Sequence, residues 1–172
     1  MPMKKLLTAF VLTALLLLPA ASAAGDEGAD ALNRLGLFSG SEAGYELDRT
    51  PTRAEALVML LKLTGQADEA LAGEWSHPFQ DAGWASSYIG YAYQTGLTAG
   101  VSDDMFGTSQ NATAQQYASF LLRALGYQEF DYENALTLLQ TSTPAVLPQG
   151  EGFTRGDLVD LSLAALAAPV AD

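Results

Sequence analysis

The chain has 172 residues, 49% of them hydrophobic, and a formal net charge of −12. This acidity argues against nucleic acid as a partner, because phosphates require a basic face, and it repels anionic membrane surfaces. With no cysteine and one histidine, the sequence excludes disulfides, thiol chemistry and zinc ribbons, so we expect no metal and no cofactor.

The first 23 residues have the features of a secretory signal peptide. Lys4 and Lys5 precede an apolar run over residues 6–18, and the segment 21–23 (ASA) fits a small-residue cleavage site. The run is shorter than the roughly 20 residues of a membrane span. We expect cleavage after Ala23 to leave 6 basic and 20 acidic side chains, a net charge of −14. Because no lipobox cysteine is present, we expect release; an uncleaved anchor is the alternative.

Residues 24–65 form the first of three units that the sequence predicts. A brief helix ends at Gly36, and a loop rich in glycine and acidic residues follows over 39–50. The segment 52–55 (TRAE) is a capping box, in which the threonine and glutamate side chains each satisfy a backbone N–H of the first turn. An apolar stripe of helical period then predicts a helix from 52 to about 64, ended by Gly65. Arg53 places a cation in the first turn, where the helix dipole favours an anion.

Residues 66–76 are interpreted as a linker or a frayed helical turn, and 77–127 as the second unit. Asp81 is expected to cap a helix that ends at Gly96, and residues 101–106 are expected to form a turn that buries Phe106. A second capping box, 113–116 (TAQQ), predicts a helix to about 125. The side chains expected on one side of the first of these helices are Trp84, Tyr88, Tyr91 and Ala92.

The third unit, 128–172, is compressed. A helix is predicted from 132 to about 140, followed by a loop with two prolines. The capping box 154–157 (TRGD) begins a helix to about 167, with Phe153 and Leu158 in hydrophobic-staple positions and Pro169 ending it. No long strand pattern is present, so the fold class is predicted to be all-α.

The three capping-box segments recur at offsets of 61 and 41 residues, the helix residues that follow each segment keep the same offset, and the turn 36–40 recurs at 96–100. Units this short cannot bury their own apolar faces, so they must pack on one another. Together with Phe79-Gln80-Asp81, Trp84-Ala85 and Leu125-Gly126, these motifs resemble S-layer homology repeats. The resemblance runs from about 31 to 168 and implies a pseudo-threefold arrangement of three helical repeats in one domain. The departures from the family pattern are Ala114, Gln116, Gly156, Gly107 and the missing front half of the first unit.

The same resemblance implies a ligand, since S-layer homology modules bind secondary cell-wall polysaccharide, often pyruvylated, in grooves between repeats. A helix N-terminus that carries a guanidinium is suited to a carboxylate. On the matching positions, Arg53 and Arg155 would pair with the acidic group. The remaining implied positions are Glu55 and Asp157, which would orient the arginines or accept sugar hydroxyls, and Asp81 and Trp84, which would line a groove.

Each of these positions also has a plain structural interpretation. Arg53 could pair internally with Asp48 or Glu55, which is worth about 0–1 kcal/mol at a surface. Glu55 and Asp157 could serve only as caps, and Trp84 could lie in the core. Two further features are interpreted as structural: Asp103-Asp104 as a turn, since the calcium-loop pattern is incomplete, and His77 as a solvated linker residue.

The function predicted from these features is a secreted, non-catalytic module that binds a Gram-positive cell wall non-covalently. The expected partners are the wall polysaccharide and another surface protein, with no nucleic acid and no membrane after signal cleavage. The alternative is a scaffold for protein interaction or coat assembly that no longer binds glycan. A glycoside hydrolase is disfavoured, because no carboxylate pair stands in a context that would raise one pKa.

Overall fold

The computed structural model describes residues 26–127, 129–148 and 152–168. The predicted signal peptide and the stop at Pro169 lie outside these residues. Within them the fold is all-α, as predicted, and β structure is limited to two isolated bridges. The helices are α1 (Asp26–Arg34), α2 (Arg53–Leu63), α3 (Ala67–Ala72), α4 (Ser86–Gln94), α5 (Ala114–Ala124), α6 (Ala135–Ser142) and α7 (Arg155–Leu166), with 3₁₀ turns at Gly83–Ala85 and Tyr132–Asn134.

All three predicted capping boxes are present. Thr52, Thr113 and Thr154 are the N-caps of α2, α5 and α7, and in each case the side chain three residues later accepts a bond from the N-cap backbone N–H. Gly65 follows α2 with a φ of +71°, the left-handed conformation that ends a helix at low cost only with glycine. The local signals therefore predicted these three helices to within about one residue at their first turns.

The structure differs from the prediction at three outer segments. Helix α1 begins at Asp26, so the acidic start of the first unit lies inside the helix. The segment interpreted as a linker or frayed turn contains the six-residue helix α3. Before α4 the chain forms a 3₁₀ turn whose N-cap is Ala82, so the prediction that Asp81 caps this helix is wrong.

The three capping-box helices form the inner layer of the fold. Helices α2, α5 and α7 contact one another, and each also packs against an outer helix from another predicted unit, while α2 contacts the short helix α3 as well. Helix α4 packs on α2, α6 packs on α5, and α1 packs on α7. In each case the outer helix belongs to the next predicted unit, with the first unit following the third. The division into units 24–65, 66–76, 77–127 and 128–172 and the pseudo-threefold arrangement remain predictions.

The first turns of α2 and α7 dock on loops in the same way. Arg53 N donates to Gln110 O at 2.8 Å, and Arg155 N donates to Arg49 O at 2.8 Å. The next amides, of residues 54 and 156, donate to the carbonyls of 108 and 47. The accepting residues stand at the same offset of 61 in the first two units. Free helix N–H groups are thus satisfied by backbone carbonyls of a neighbouring unit.

None of the helices in the described part of the chain has the length and apolar character that a membrane crossing requires.

Candidate functional site

A cleft of about 130 Å³ lies where α2, α7 and the turn at residues 37–39 meet. Its apolar wall comes mainly from Leu37, Phe38, Val58 and Met59. The residues that can recognise a ligand by charge, hydrogen bonding or ring stacking are Ser39, Glu55, Lys62, Trp84 and Arg155.

Arg155 lines this cleft and is only 8% exposed. Its Nε donates to Tyr45 O at 2.9 Å and its Nη2 donates to Ser39 O at 3.1 Å, while its guanidinium lies 4.6 Å from the centre of the Phe38 ring. Burial, with a smaller contribution from the like charge of Arg49, lowers the pKa of Arg155 from its ordinary value. The cation is therefore fixed in position by carbonyls and an aromatic face rather than by a close carboxylate.

Glu55 stands beside Arg155 but is paired with a different arginine. Arg49 Nη2 donates to Glu55 Oε1 at 2.7 Å and Arg49 Nη1 donates to Oε2 at 3.0 Å, while the nearest Arg155 nitrogen is 3.9 Å from Oε1. Thr52 N also donates to Oε2, at 2.7 Å. Burial raises the pKa of Glu55, but the hydrogen bonds from Arg49 and Thr52 outweigh it and lower the pKa to about 2. Glu55 is thus both a helix cap and an ionised carboxylate at the cleft.

Trp84 is 66% exposed and lines the cleft. The alternative that placed it in the core is wrong, and its neighbour Ala85 is the fully buried residue of the 3₁₀ turn. The turn begins at Gly83, whose φ of +50° few other residues adopt without strain. An indole with its flat apolar face in solvent is a ready contact for the apolar face of a ligand ring.

Lys62 is the charged cleft residue that the sequence interpretation missed, and Ser39 was missed as well. Lys62 lies seven residues after Glu55 in the last turn of α2 and is half-buried, and no carboxylate of the described residues lies within salt-bridge distance of it. The spacing of seven, which places two residues on one helix face, is the signal that could have found it.

Arg53 occupies a closed site away from this cleft and is 5% exposed. Its Nε donates to Phe106 O at 2.9 Å, and its guanidinium lies 4.8 Å from the Phe106 ring centre and 5.0 Å from that of Phe120. Burial is the main cause that lowers the pKa of Arg53 to about 10. The cation in the first turn of α2 is thus stabilised by a carbonyl and two aromatic faces, and neither Asp48 nor Glu55 pairs with it.

Asp81 and Asp157 have structural roles in this arrangement. The Asp81 carboxylate accepts the backbone N–H groups of Phe106, Gly107 and Thr108 at 2.7, 2.8 and 2.9 Å. Asp157 completes the capping box of α7. The structure therefore brings Glu55, Trp84 and Arg155 together in one cleft, and it places Arg53 and Asp81 against the loop 106–108 instead.

His77 and Ser86 form a contact that resembles a catalytic dyad, with His77 Nε2 2.9 Å from Ser86 Oγ. Nδ1 of His77 accepts the N–H of Phe79 at 3.1 Å, so in the neutral ring the proton is on Nε2. Activation of a serine requires the opposite tautomer, with Nε2 as the acceptor. This histidine therefore orders the turn before α4, instead of being a solvated linker residue as predicted. In the described part of the chain no group of three possible metal ligands is present.

Comparison with known proteins points to one family. The model of the S-layer homology domain matches residues 80–118. The chain is 34% identical over 87 residues to "Cell surface glycoprotein 1" of Acetivibrio thermocellus, 28% identical over 101 residues to "Middle cell wall protein" of Brevibacillus brevis, and 32% identical over 84 residues to "Exoglucanase XynX" of Acetivibrio thermocellus.

These matches involve a limited part of each protein. They include 49%, 56% and 49% of this chain, but only 4%, 10% and 8% of the three relatives. The similarity therefore concerns a module that larger surface, wall and enzyme proteins also contain. Three repeats along the whole chain remain a prediction. The resemblance inferred from the motifs is nevertheless confirmed by the match of the S-layer homology model to residues 80–118 and by the similarity to surface and cell-wall proteins.

Proposed function

We propose that this chain is a secreted, non-catalytic module that attaches non-covalently to an anionic, pyruvylated secondary polysaccharide of the cell wall. The observation that carries the proposal is the cleft in which the cations of Lys62 and Arg155 and the exposed indole of Trp84 face the same space. A pyruvyl ketal offers a carboxylate for the cations, and its sugar offers an apolar ring face for the indole.

The distribution of charge supports an anionic ligand. The chain carries 20 acidic and 8 basic side chains, yet Lys62, Arg155 and Arg49 gather around this one cleft. Glu55 also lines the cleft, but Arg49 already neutralises it at 2.7 Å. The local excess of positive charge in an otherwise acidic protein favours a carboxylate at this position and disfavours it over most of the remaining surface.

The cleft is not equipped for glycoside hydrolysis. That reaction requires two carboxyl groups flanking the bond, one of them protonated near neutral pH. Among the described residues, Glu55 is the only carboxylate that lines the cleft, and its pKa of about 2 keeps it ionised. The cleft therefore favours binding without bond cleavage. Although one relative is named an exoglucanase, the proposed function gives this cleft no catalytic role.

The test is retention on purified cell walls before and after chemical removal of the pyruvyl groups. Lys62→Gln and Trp84→Ala change exposed or half-buried side chains, so the fold is expected to survive, and each should weaken retention by about fivefold or more. Arg34→Gln and Leu71→Ala are matched controls, because they remove an exposed cation and an exposed apolar side chain outside the cleft. Equal retention on stripped walls, or equal losses in the controls, would refute the proposal.

A further inference from the structure

Arg49 and Glu55 form an ion pair in the first unit, and both residues are replaced at the corresponding positions of the second unit. At the offset of 61 residues that relates the two units, Gln110 corresponds in sequence to Arg49 and Gln116 corresponds to Glu55. The correspondence is also structural, because Arg49 O accepts Arg155 N and Gln110 O accepts Arg53 N. Glu55 and its guanidinium partner therefore occur together in the first unit, and two neutral amides occur at the same positions in the second.

Arg49 does not line the cleft, but it determines which cation Glu55 contacts. Two nitrogens of its guanidinium bind both oxygens of Glu55, and Nη1 also donates to Thr50 O at 3.1 Å. Arg155 Nη1 stands 3.9 Å from Glu55 Oε1, which is within the range of a loose ion pair but too far for a hydrogen bond. No hydrogen bond joins this nitrogen to another residue of the described chain, whereas Nε and Nη2 are both engaged with carbonyls.

The position of the Glu55 carboxylate thus decides whether Arg155 can bind an anionic group of the ligand. A carboxylate without Arg49 would have Arg155 as its nearest cation, and a partly buried pair attracts strongly because water screens it little. A shift of about 1 Å would bring Glu55 Oε1 into hydrogen-bond range of Nη1.

Resting on the proposed function, the geometry points to Arg49 as a positioning residue that keeps Glu55 from forming a hydrogen bond to Arg155, so that Arg155 Nη1 remains available to the carboxylate of the glycan. Arg49 itself does not contact the ligand. Its effect on affinity depends entirely on the presence of a negative charge at position 55, and this dependence separates positioning from general electrostatic attraction or from support of the fold.

The experiment is a double-mutant cycle with Arg49→Gln and Glu55→Gln, using pyruvylated wall polysaccharide as the probe and the pyruvyl-stripped polysaccharide beside it. Glutamine is a suitable replacement at both sites. The Arg49 oxygen that accepts the Arg155 N–H belongs to the backbone, so Arg49→Gln retains it. At position 55 a glutamine can still complete the capping box, as Gln116 does in α5. With Glu55 in place, Arg49→Gln should weaken binding about tenfold. In a chain that already carries Glu55→Gln, the same change should weaken it by less than about twofold.

Two results would overturn the inference while the proposed function stands. One is unchanged affinity of Arg49→Gln for the pyruvylated polysaccharide, and the other is an equal loss in both backgrounds, which would indicate long-range attraction or damage to the fold. Arg49→Lys provides a second check, because it keeps the charge without the two-pronged donor and should give a loss between wild type and Arg49→Gln. Failure of the wild-type chain to distinguish the two polysaccharides would instead refute the proposed function, and the inference with it.

Discussion

Replacing Asp81 with asparagine tests how the loop that receives α2 is held. The carboxylate accepts three backbone N–H groups from residues 106–108, and the carbonyls of this loop accept from Arg53 and Ala54 at the start of α2. An asparagine retains one oxygen, but its NH₂ group would face an N–H donor. The substitution therefore loses at least one bond to a charged acceptor and leaves a backbone donor unpaired.

The expected loss of unfolding free energy is about 2–4 kcal/mol, since hydrogen bonds to charged groups contribute about 1.5–3 kcal/mol each. For a domain of this size the melting temperature should fall by about 5–12 °C. Denaturant unfolding followed by circular dichroism measures the free energy, and Asp103→Asn, an exposed neighbour in the same segment, is the control. A loss below about 1 kcal/mol would refute this account of the loop.

The loss of stability caused by Asp81→Asn should depend on pH. Burial raises the pKa of Asp81, but the three N–H donors outweigh it, so the pKa lies below its ordinary value of 3.8. The stabilisation is therefore present above that value and is lost as pH falls through the lower pKa of the folded state. The difference between wild type and Asp81→Asn should shrink below about pH 4. A difference that persists undiminished in strong acid would show that the charge is not its source.

Denaturant unfolding should show that Gly90→Ala destabilises the fold by about 1–3 kcal/mol, because a Cβ at this position would lie 2.3 Å from Trp75 O. In the same assay Gly156→Ala should stabilise the fold by about 0.5–1 kcal/mol, because a Cβ there would have no contact under 3.5 Å. In the same assay Ser162→Ala should cost about 1–3 kcal/mol, more than Tyr117→Phe, because Ser162 donates to a backbone carbonyl and accepts from the buried Tyr117 hydroxyl. Glu55→Gln should cost about 1–2 kcal/mol at pH 6, and the cost should vanish as pH falls from 4.5 to about 2, the pKa that Glu55 has in the folded state.

Sequence reasoning succeeded where the determining contacts are local. A capping box is a contact between residues three apart, so Thr52, Thr113 and Thr154 could be assigned without knowing the fold. It failed at Trp84 because it extended a helical period of 3.6 residues back from Tyr88. The chain there is a tighter 3₁₀ turn, so Trp84 does not continue the buried side of α4.

The environment of the arginines could not be predicted for a different reason. Arg53 binds the carbonyl of Phe106, which is 53 residues away, and Arg155 binds that of Tyr45, which is 110 residues away. A local rule for cations near a helix start predicts a missing anion, but it cannot know that carbonyls and aromatic rings arrive from distant segments. Sequence reasoning did select three of the cleft residues, because the family motif carries information about long-range packing that periodicity does not.

The packing of α1 on α7 has a consequence for how this domain is made. Helices α2 and α5 each pack against an outer helix that follows them in the chain, whereas the outer helix of α7 is α1, which precedes it. During synthesis, α1 is therefore complete before residues 155–166, the helix on which it packs, have been made. We therefore expect α1 to pack only after α7 has been made. A polypeptide cut before α7 would leave the apolar side of α1 facing water, and such a product should be an early target for proteases.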